Sequence, residues 1–188
     1  FGPHMLWRFP EILQTYMQSG RRMFLTEDGP GAIAEGLPEK RDGTVKAWLS
    51  IMYGCNNFCS YCIVPYVRGR ERSRRPEAVL EEARRLVSAG YRDITLLGQN
   101  VNSYGRDLES NISFAGLLRQ INDIPGDFRT RFMTSHPKDA SEELFRTMAE
   151  CSKVSKHIHL PFQAGNNRVL KAMNRGYYAD SPVFAVDG

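Results

Sequence analysis

Cys55, Cys59 and Cys62 fall within eight residues, in the run Gly54-Cys55-Asn56-Asn57-Phe58-Cys59-Ser60-Tyr61-Cys62. The spacing is C-x3-C-x2-C, with an aromatic residue just before the last cysteine. Three thiolates on one short loop can hold three corners of a four-iron cube, which leaves one iron without a nearby protein ligand. An open coordination position is what a reactive metal site keeps and a structural one fills. Two other readings compete. A zinc ion would want a fourth ligand from Cys151 or a histidine, but no second C-x2-C knuckle is present. Inert core cysteines rarely cluster so tightly, and the spacing favours iron and sulfide.

Other polar residues group in short runs. Gly98-Gln99-Asn100-Val101-Asn102 combines a glycine with three amides. The glycine reads as an ordinary turn or as a point of close backbone approach to a ligand. The amides offer both donors and acceptors, which suits a polar cofactor or an adenine edge, with Gln99 and Asn102 favoured over solvated loop amides. Arg68, Arg70, Arg72, Arg74 and Arg75 are five arginines in eight residues, relieved by Glu71. Such a run is either a solvated face or a phosphate-binding one. Arg68 has a second reading, as a structural residue near the metal. His136 directly follows an expected strand, ahead of Pro137, and at a barrel rim it would lie near substrate or cofactor. His157 and His159 alternate and so point the same way. A His-x-His pair can bind metal, but without a third ligand the packed, hydrogen-bonded reading is favoured. Gln163 is the better cofactor candidate in that region. Arg175 reads as a cofactor contact or as a cation at a helix C-terminus. Cys151 reads as a structural thiol.

These residues need elements to hold them. Ala47–Met52 reads as a buried strand leading into the cysteine loop. A helix is expected over Pro76–Ala89, opened by Pro76, striped by Val79, Ala83, Leu86 and Val87, and stopped by Gly90. Ile94–Leu97 is a short apolar strand of the kind buried on both faces of a parallel sheet. Ser113 can cap a helix with Phe114, Leu117, Leu118 and Ile121 inward. Phe128–Met133 reads as a third strand. Asp139 and Glu142 have capping-box spacing ahead of a helix carrying Leu144, Phe145 and Met148. His157–Leu160 is a fourth strand and Asn166–Asn174 a fourth helix. Alternation of this kind predicts an α/β fold with parallel strands and right-handed crossovers. The distinctive polar runs each follow a strand, as they would on the C-terminal rim of a β/α barrel. A switch-point crevice would gather some of them too.

The chain has 188 residues, 41% hydrophobic and 24% charged, with a net charge of +4. That composition suits a soluble globular domain and weakly favours a polyanionic partner. No apolar run approaches the roughly 20 residues of a membrane helix. No signal peptide is evident, and reduced clustered cysteines suit the cytoplasm. Gly2-Pro3-His4-Met5 resembles a tag remnant, so residues 1–5 and His4 are set aside. Residues 6–19 hold one amphipathic stretch. The run Asp28–Gly43 carries Gly29, Pro30, Gly31, Gly36, Pro38 and Gly43 and reads as a linker.

The cysteine motif after a first strand, followed by βα units, resembles the radical S-adenosylmethionine superfamily. Cys59-Ser60-Tyr61-Cys62-Ile63-Val64-Pro65-Tyr66-Val67-Arg68-Gly69-Arg70-Glu71-Arg72-Ser73-Arg74 resembles its methylthiotransferase branch. The runs from Gly98 to Gly105, from Thr134 to Pro137 and from Leu160 to Arg175 resemble the tRNA-modifying type within that branch. The resemblance implies a partial TIM-like barrel of the radical SAM type. It implies a 4Fe-4S cluster on Cys55, Cys59 and Cys62, and S-adenosylmethionine as cofactor. Tyr61 would lie by the adenine, and Gly98, Gln99, Asn102, Gln163 and Arg175 would contact the cofactor. Arg68, Arg70, Arg72 and His136 would face substrate. The implied reaction is reductive cleavage of S-adenosylmethionine to a 5′-deoxyadenosyl radical. Its purpose would be C2 methylthiolation of isopentenyl-modified adenosine beside the tRNA anticodon. The implied partners are tRNA and a reducing protein such as flavodoxin or ferredoxin; oligomeric state is left open.

The family's full enzyme has an N-terminal domain with a second, auxiliary cluster and a C-terminal RNA-binding barrel. Residues 6–43 resemble the tail and linker of the first, residues 44–176 the radical SAM core, and residues 177–188 match nothing expected. The chain is therefore read as a truncated core, able to cleave S-adenosylmethionine but not to complete methylthiolation alone. Two rivals stand beside this. One is a sister methylthiotransferase acting on threonylcarbamoyl-adenosine tRNA or a ribosomal protein. The other is a non-catalytic, metal-stabilised RNA-binding module.

Overall fold

The computed structural model describes residues 1–25, 33–36, 40, 41 and 43–181. Gly29, Pro30, Gly31 and Pro38 of the expected linker, and residues 182–188 of the expected tail, lie outside the described residues, as does the side chain of His4. The chain divides into two units, Phe1–Lys40 and Arg41–Gly188. In the first, a 3-10 turn leads into helix α1 (Phe9–Ser19), which ends on the left-handed Gly20, φ +64°, as helix C-termini commonly do. The Arg8 guanidinium grips Glu11 one turn on. Among the described residues, no helix is long and apolar enough to cross a membrane.

The second unit is built on a parallel sheet. Strand β1 (Lys46–Ser50) buries Ala47 and Leu49 and exposes Lys46 and Trp48, the period-two pattern of an edge strand. A two-residue strand, β2 (Met52–Tyr53), continues from it, so the single strand expected over Ala47–Met52 is broken near Ile51. Helix α2 (Val64–Arg68) and strand β3 (Arg72–Ser73) follow. Strand β3 pairs antiparallel with β2, Met52 opposite Ser73, and this ribbon closes the base of the cysteine loop. Helix α3 (Pro76–Ser88) then returns to strand β4 (Asp93–Leu97), helix α4 (Phe114–Asn122), strand β5 (Arg129–Phe132), helix α5 (Glu142–Glu150) and helix α6 (Asn167–Ala172).

Strand order in the parallel sheet is β1-β4-β5, with Leu49 opposite Leu96 and Ile94 opposite Thr130. Ile94, Thr95 and Leu96 are buried on both faces of the central strand, as their apolar run predicts. Val79, Ala83 and Leu86 of α3, Leu117, Leu118 and Ile121 of α4 and Leu144 of α5 close over the sheet. Phe114 meets Phe132 edge to face at 5.1 Å. Ser113 caps α4 by accepting from the Gly116 N–H at 3.0 Å.

Two expectations are corrected. His157–Leu160 forms no strand; among the described residues beyond β5, the sheet continues only as a parallel bridge between Thr130 and Val154. The histidine alternation is real, but His157 and His159 are exposed and find no ladder partner there. The cap of α5 is Ser141, which accepts from the Leu144 N–H at 3.2 Å. Asp139 sits in a 3-10 turn before it and is buried. The fold is otherwise the expected run of parallel βα units, an incomplete barrel-like arrangement.

Candidate metal and cofactor site

The cysteine loop is shaped by backbone before side chains. Gly54 has φ +75°, and a Cβ there would stand 2.0 Å from the Arg70 carbonyl oxygen and 2.6 Å from that of Gly69. Only glycine fits. Beside it the Cys55 N–H donates to the Gly69 carbonyl at 3.1 Å. Asn56 and Glu71 exchange two 3.2 Å bonds, each backbone N–H donating to the other's side chain. Phe58 holds a left-handed φ of +46°, packed under the Arg70 guanidinium at 4.6 Å and edge-on to Tyr66 at 5.7 Å. The Cys62 N–H donates to the Cys59 carbonyl at 2.9 Å, which folds the last three residues into a tight turn.

The far end of the unit staples this loop in place. The Ser60 N–H donates to the Met173 carbonyl at 3.1 Å. The Asn174 amide donates to the carbonyls of Phe58 and Asn57, at 2.9 and 3.3 Å. Arg175 Nη1 donates to Cys59 Sγ at 3.2 Å and to the Tyr61 hydroxyl at 3.3 Å, while Nη2 donates to the Pro161 carbonyl at 3.0 Å. Arg175 is 5% exposed and folds back on the loop, so it is not the solvent-facing helix-end cation of one sequence reading. Burial pulls its proton affinity down, but bonds to Tyr177 and Cys59 outweigh that and raise it.

Cys59 is buried, and Cys55 and Cys62 are half-buried. Burial pushes the Cys55 thiol up; the Asn57 N–H opposes this, and the negative charges of Glu71, Cys59 and Cys62 add to it. Three thiols within electrostatic reach of one another call for a positively charged, sulfur-seeking occupant. A single zinc would draw its thiolates to within about 3.8 Å of one another. Among the described residues no three His, Cys, Asp or Glu side chains are arranged to hold one ion. Cys151 sits in the apolar core at the end of α5, where burial raises its pKa, and supplies no fourth ligand. A cube presents separate iron corners to separate thiolates, and this donor set fits it.

The loops leaving β4 and β5 lie at the C-terminal end of the parallel sheet. A Cβ on Gly98 would meet Met52 Cγ at 2.5 Å and Val101 Cγ1 at 3.2 Å, so close packing, not a left-handed turn, requires glycine there. The Asn102 amide donates to the His136 carbonyl and accepts from the His136 N–H, both at 2.9 Å. That clamp gives Asn102 a positioning part. Asn100, not singled out for a role in the sequence, is 1% exposed and donates to Asp139 at 2.7 Å. Asp139 also holds Arg106 at 2.7 Å and Lys138 at 3.2 Å. Burial raises the Asp139 pKa, and Asn100, Lys138 and Arg106 together bring it below the usual carboxylate range.

His136 is 5% exposed. Its Nδ1 accepts from the Lys138 N–H at 3.3 Å, which assigns its proton to Nε2. Burial, then the positive charge of Arg175 and Lys138, lowers its pKa to about 4 against the pull of Asp139, so it is neutral at pH 7. Gln163 is exposed, in a left-handed conformation of φ +68°, on a loop instead of a strand end. Tyr61 is 54% exposed.

The arginine run divides. Arg68, Arg70 and Arg75 are exposed and Arg72 is half-buried in β3. Arg74 is buried, donating to the Ser50 carbonyl at 2.7 Å and paired with Glu82 at 2.8 Å. Its place on a solvated or phosphate-binding face is therefore corrected: it ties β1 to α3.

Buried polar atoms without a hydrogen-bond partner concentrate around the rim. They are Asn57 Oδ1, Gln99 Oε1, Asn100 Oδ1, Ser135 Oγ, His136 Nε2 and Arg175 Nε; among the described residues, only Thr130 and Thr147 carry others. Buried polar groups are ordinarily satisfied, so this concentration marks where a polar ligand or ordered water belongs.

Comparison with known proteins identifies the family. Residues 49–186 match the family model described as the Radical SAM superfamily. The chain is 56% identical over 177 residues to tRNA-2-methylthio-N(6)-dimethylallyladenosine synthase of Acetivibrio thermocellus, covering 94% of this chain and 37% of that protein. It is 53% identical over 188 residues to the protein of the same name from Thermoanaerobacter sp. strain X514, covering 100% of this chain and 40% of that one. The chain thus spans about two fifths of the length of these curated relatives. Among solved structures, the radical S-adenosylmethionine methyltransferase TsrM of Kitasatospora setae, with cobalamin and a 4Fe-4S cluster bound, aligns with a TM-score of 0.57. The two are 20% identical over 79% of this chain and 30% of that one. The cobalamin-dependent S-adenosylmethionine radical enzyme OxsB aligns with a TM-score of 0.56 at 15% identity, over 70% of this chain and 20% of that one. Likeness at these identities speaks to the fold.

Proposed function

The chain belongs to the radical SAM superfamily, and on that premise we propose that it is the core of a tRNA methylthiotransferase acting at C2 of isopentenyl-modified adenosine. The observation that carries the reading is the cysteine loop itself, with three thiols on one turn, Cys59 held by Arg175 and the loop pinned by Ser60 and Asn174. Names of relatives above 50% identity across this chain support the tRNA substrate.

Cys55, Cys59 and Cys62 would hold three corners of a 4Fe-4S cluster. When bound, the cluster supplies an iron with an open coordination position and the electron that cleaves the carbon–sulfur bond of S-adenosylmethionine. The chain's own residues bind, orient and shield. Tyr61, exposed beside the loop, would offer its ring to the adenine. Gln99 keeps a buried, unpartnered Oε1 for a donor on the cofactor. Gly98 brings backbone close, and Asn102 holds the His136 main chain and, through it, a neutral imidazole. Gln163 and Arg175 complete the cofactor set, and Arg68, Arg70 and Arg72 would meet tRNA phosphates. The buried part of the rim, Asn100, Asn102, Ser135 and His136, would exclude water that a reactive intermediate would otherwise meet. Electrons would come from a flavodoxin or ferredoxin. A second cluster, which the methylthiotransferase resemblance puts on an N-terminal domain, would handle the transferred sulfur.

Anaerobic reconstitution with iron and sulfide tests the first half. The expected product is a brown protein with about four irons per chain. Its paramagnetic spectrum should change when S-adenosylmethionine is added, and dithionite should drive cofactor cleavage. A colourless zinc protein, or a cluster indifferent to S-adenosylmethionine, would sink the proposal. Substrate choice is tested separately: turnover should rise with tRNA bearing isopentenyl adenosine and not with threonylcarbamoyl-adenosine tRNA or a ribosomal protein.

A further inference from the structure

Arg175 occupies an unusual position for an arginine. It is 5% exposed, and the fork that donates to Cys59 Sγ at 3.2 Å is anchored on its other nitrogen by the Pro161 carbonyl at 3.0 Å. The Tyr177 ring lies 5.5 Å from its guanidinium carbon. A guanidinium keeps its charge at every working pH. Buried beside a thiol, that charge is screened neither by bulk water nor by salt as a surface arginine would be. Its planar donors are held from two sides, so little reorganisation accompanies a change of charge on the sulfur. Nearby, Glu71 adds negative charge to the same loop. The arrangement suits holding surplus negative charge on Cys59, whatever contact Arg175 also makes with the cofactor.

Resting on the cluster assignment above, we propose that Arg175 sets the reduction potential of the cluster carried by Cys59, by a charged hydrogen bond to that ligand's sulfur. Reduction adds one electron from a low-potential donor, dithionite in the assay, which is itself oxidised. The added negative charge spreads onto the thiolate ligands, and the fixed cation beside Cys59 stabilises the reduced state over the oxidised one. Hydrogen bonds to cluster sulfurs and local net charge are among the protein's main controls on such potentials. Arg175 is on this account a positioning and tuning residue that acts through Cys59.

The test is a potentiometric titration of the reconstituted chain followed by electron paramagnetic resonance, at matched iron content. Arg175→Gln is expected to lower the equilibrium constant for one-electron reduction about tenfold, which is a fall of about 59 mV in midpoint potential. Arg175→Lys keeps the charge and loses the fork, so its midpoint should lie between the two. Arg84→Gln removes an exposed positive charge from α3 and should leave the midpoint where it was. An unchanged midpoint in Arg175→Gln overturns the proposal. So does an equal shift in Arg84→Gln, which would make the effect one of net charge, and so does loss of the cluster from both Arg175 variants, which would make the residue a structural staple. Failure of the wild-type chain to take four irons would instead remove the cluster assignment, so the two failures read differently.

Discussion

Cys59 and Cys151 are both buried, yet their surroundings differ in kind. Cys59 accepts from a guanidinium on a loop of three thiols, whereas Cys151 packs among apolar side chains and behaves as a small hydrophobe. Cys59→Ala should therefore lose cluster retention, while Cys151→Ala keeps full iron content and costs about 1 kcal/mol of stability. Iron per chain and urea midpoints measure the two effects, and equal iron in both variants would refute the ligand assignment. His136 makes a second prediction at this scale. Its pKa falls from 6.5 to about 4 on folding, chiefly through burial. Between those values the unfolded chain binds the extra proton, so stability rises with pH across that window. It is complete above about pH 6.5 and lost as pH falls through 4. The full displacement corresponds to roughly 3 kcal/mol. His136→Asn should flatten the stability profile of the metal-free protein between pH 4.5 and 6.5, as read by urea denaturation; an unchanged slope would mean the imidazole is protonated in the folded state.

At the scale of elements, the ribbon of β2 and β3 and the turn at Gly54 shape the cysteine loop together. Gly54→Ala would force a methyl group onto two carbonyl oxygens at a left-handed residue. Backbone strain alone is worth on the order of 1–3 kcal/mol, and the collision adds to it. The variant should bind markedly less iron while α3 and α4 keep their circular dichroism. Normal iron uptake would show that the loop can re-form without the contact. Helices α3, α4 and α5 and strand β4 were legible in sequence because their signals are local: a proline start, a serine cap, a 3.6-residue stripe, a run buried on both faces. The cysteine loop was legible for the same reason. The strand expected at His157–Leu160 was not, because pairing is decided by a distant partner and the bridge forms at Val154 instead. Arg74 and Asp139 escaped for a related reason. Each is a charged residue in a polar run whose burial depends on partners in other elements, Ser50 and Glu82 for Arg74, Asn100 and Arg106 for Asp139.

Within the second unit, the candidate cofactor residues lie on loops at the C-terminal end of a three-stranded parallel sheet. The excess of basic residues is modest, 25 against 21, so placement matters more than total. Arg68, Arg70 and Arg75 reach solvent in the segment that follows the thiols, and Tyr61 and Tyr66 are 54% and 73% exposed beside them. Aromatic faces that stack bases, combined with arginines that follow phosphates, suit an unpaired RNA segment such as an anticodon loop. If Arg68, Arg70 and Arg72 each displace a counterion, log K against log salt should fall with a slope of about −2, taking ~0.7 per phosphate for single strands. Arg68→Gln combined with Arg70→Gln should bring that slope to about −0.7. Fluorescence anisotropy with an anticodon stem-loop, between roughly 50 and 200 mM salt, reads both numbers. A slope that the double substitution leaves untouched would return these arginines to the role of a solvated face, and tRNA would then have to be held by surfaces other than the one beside the cysteine loop.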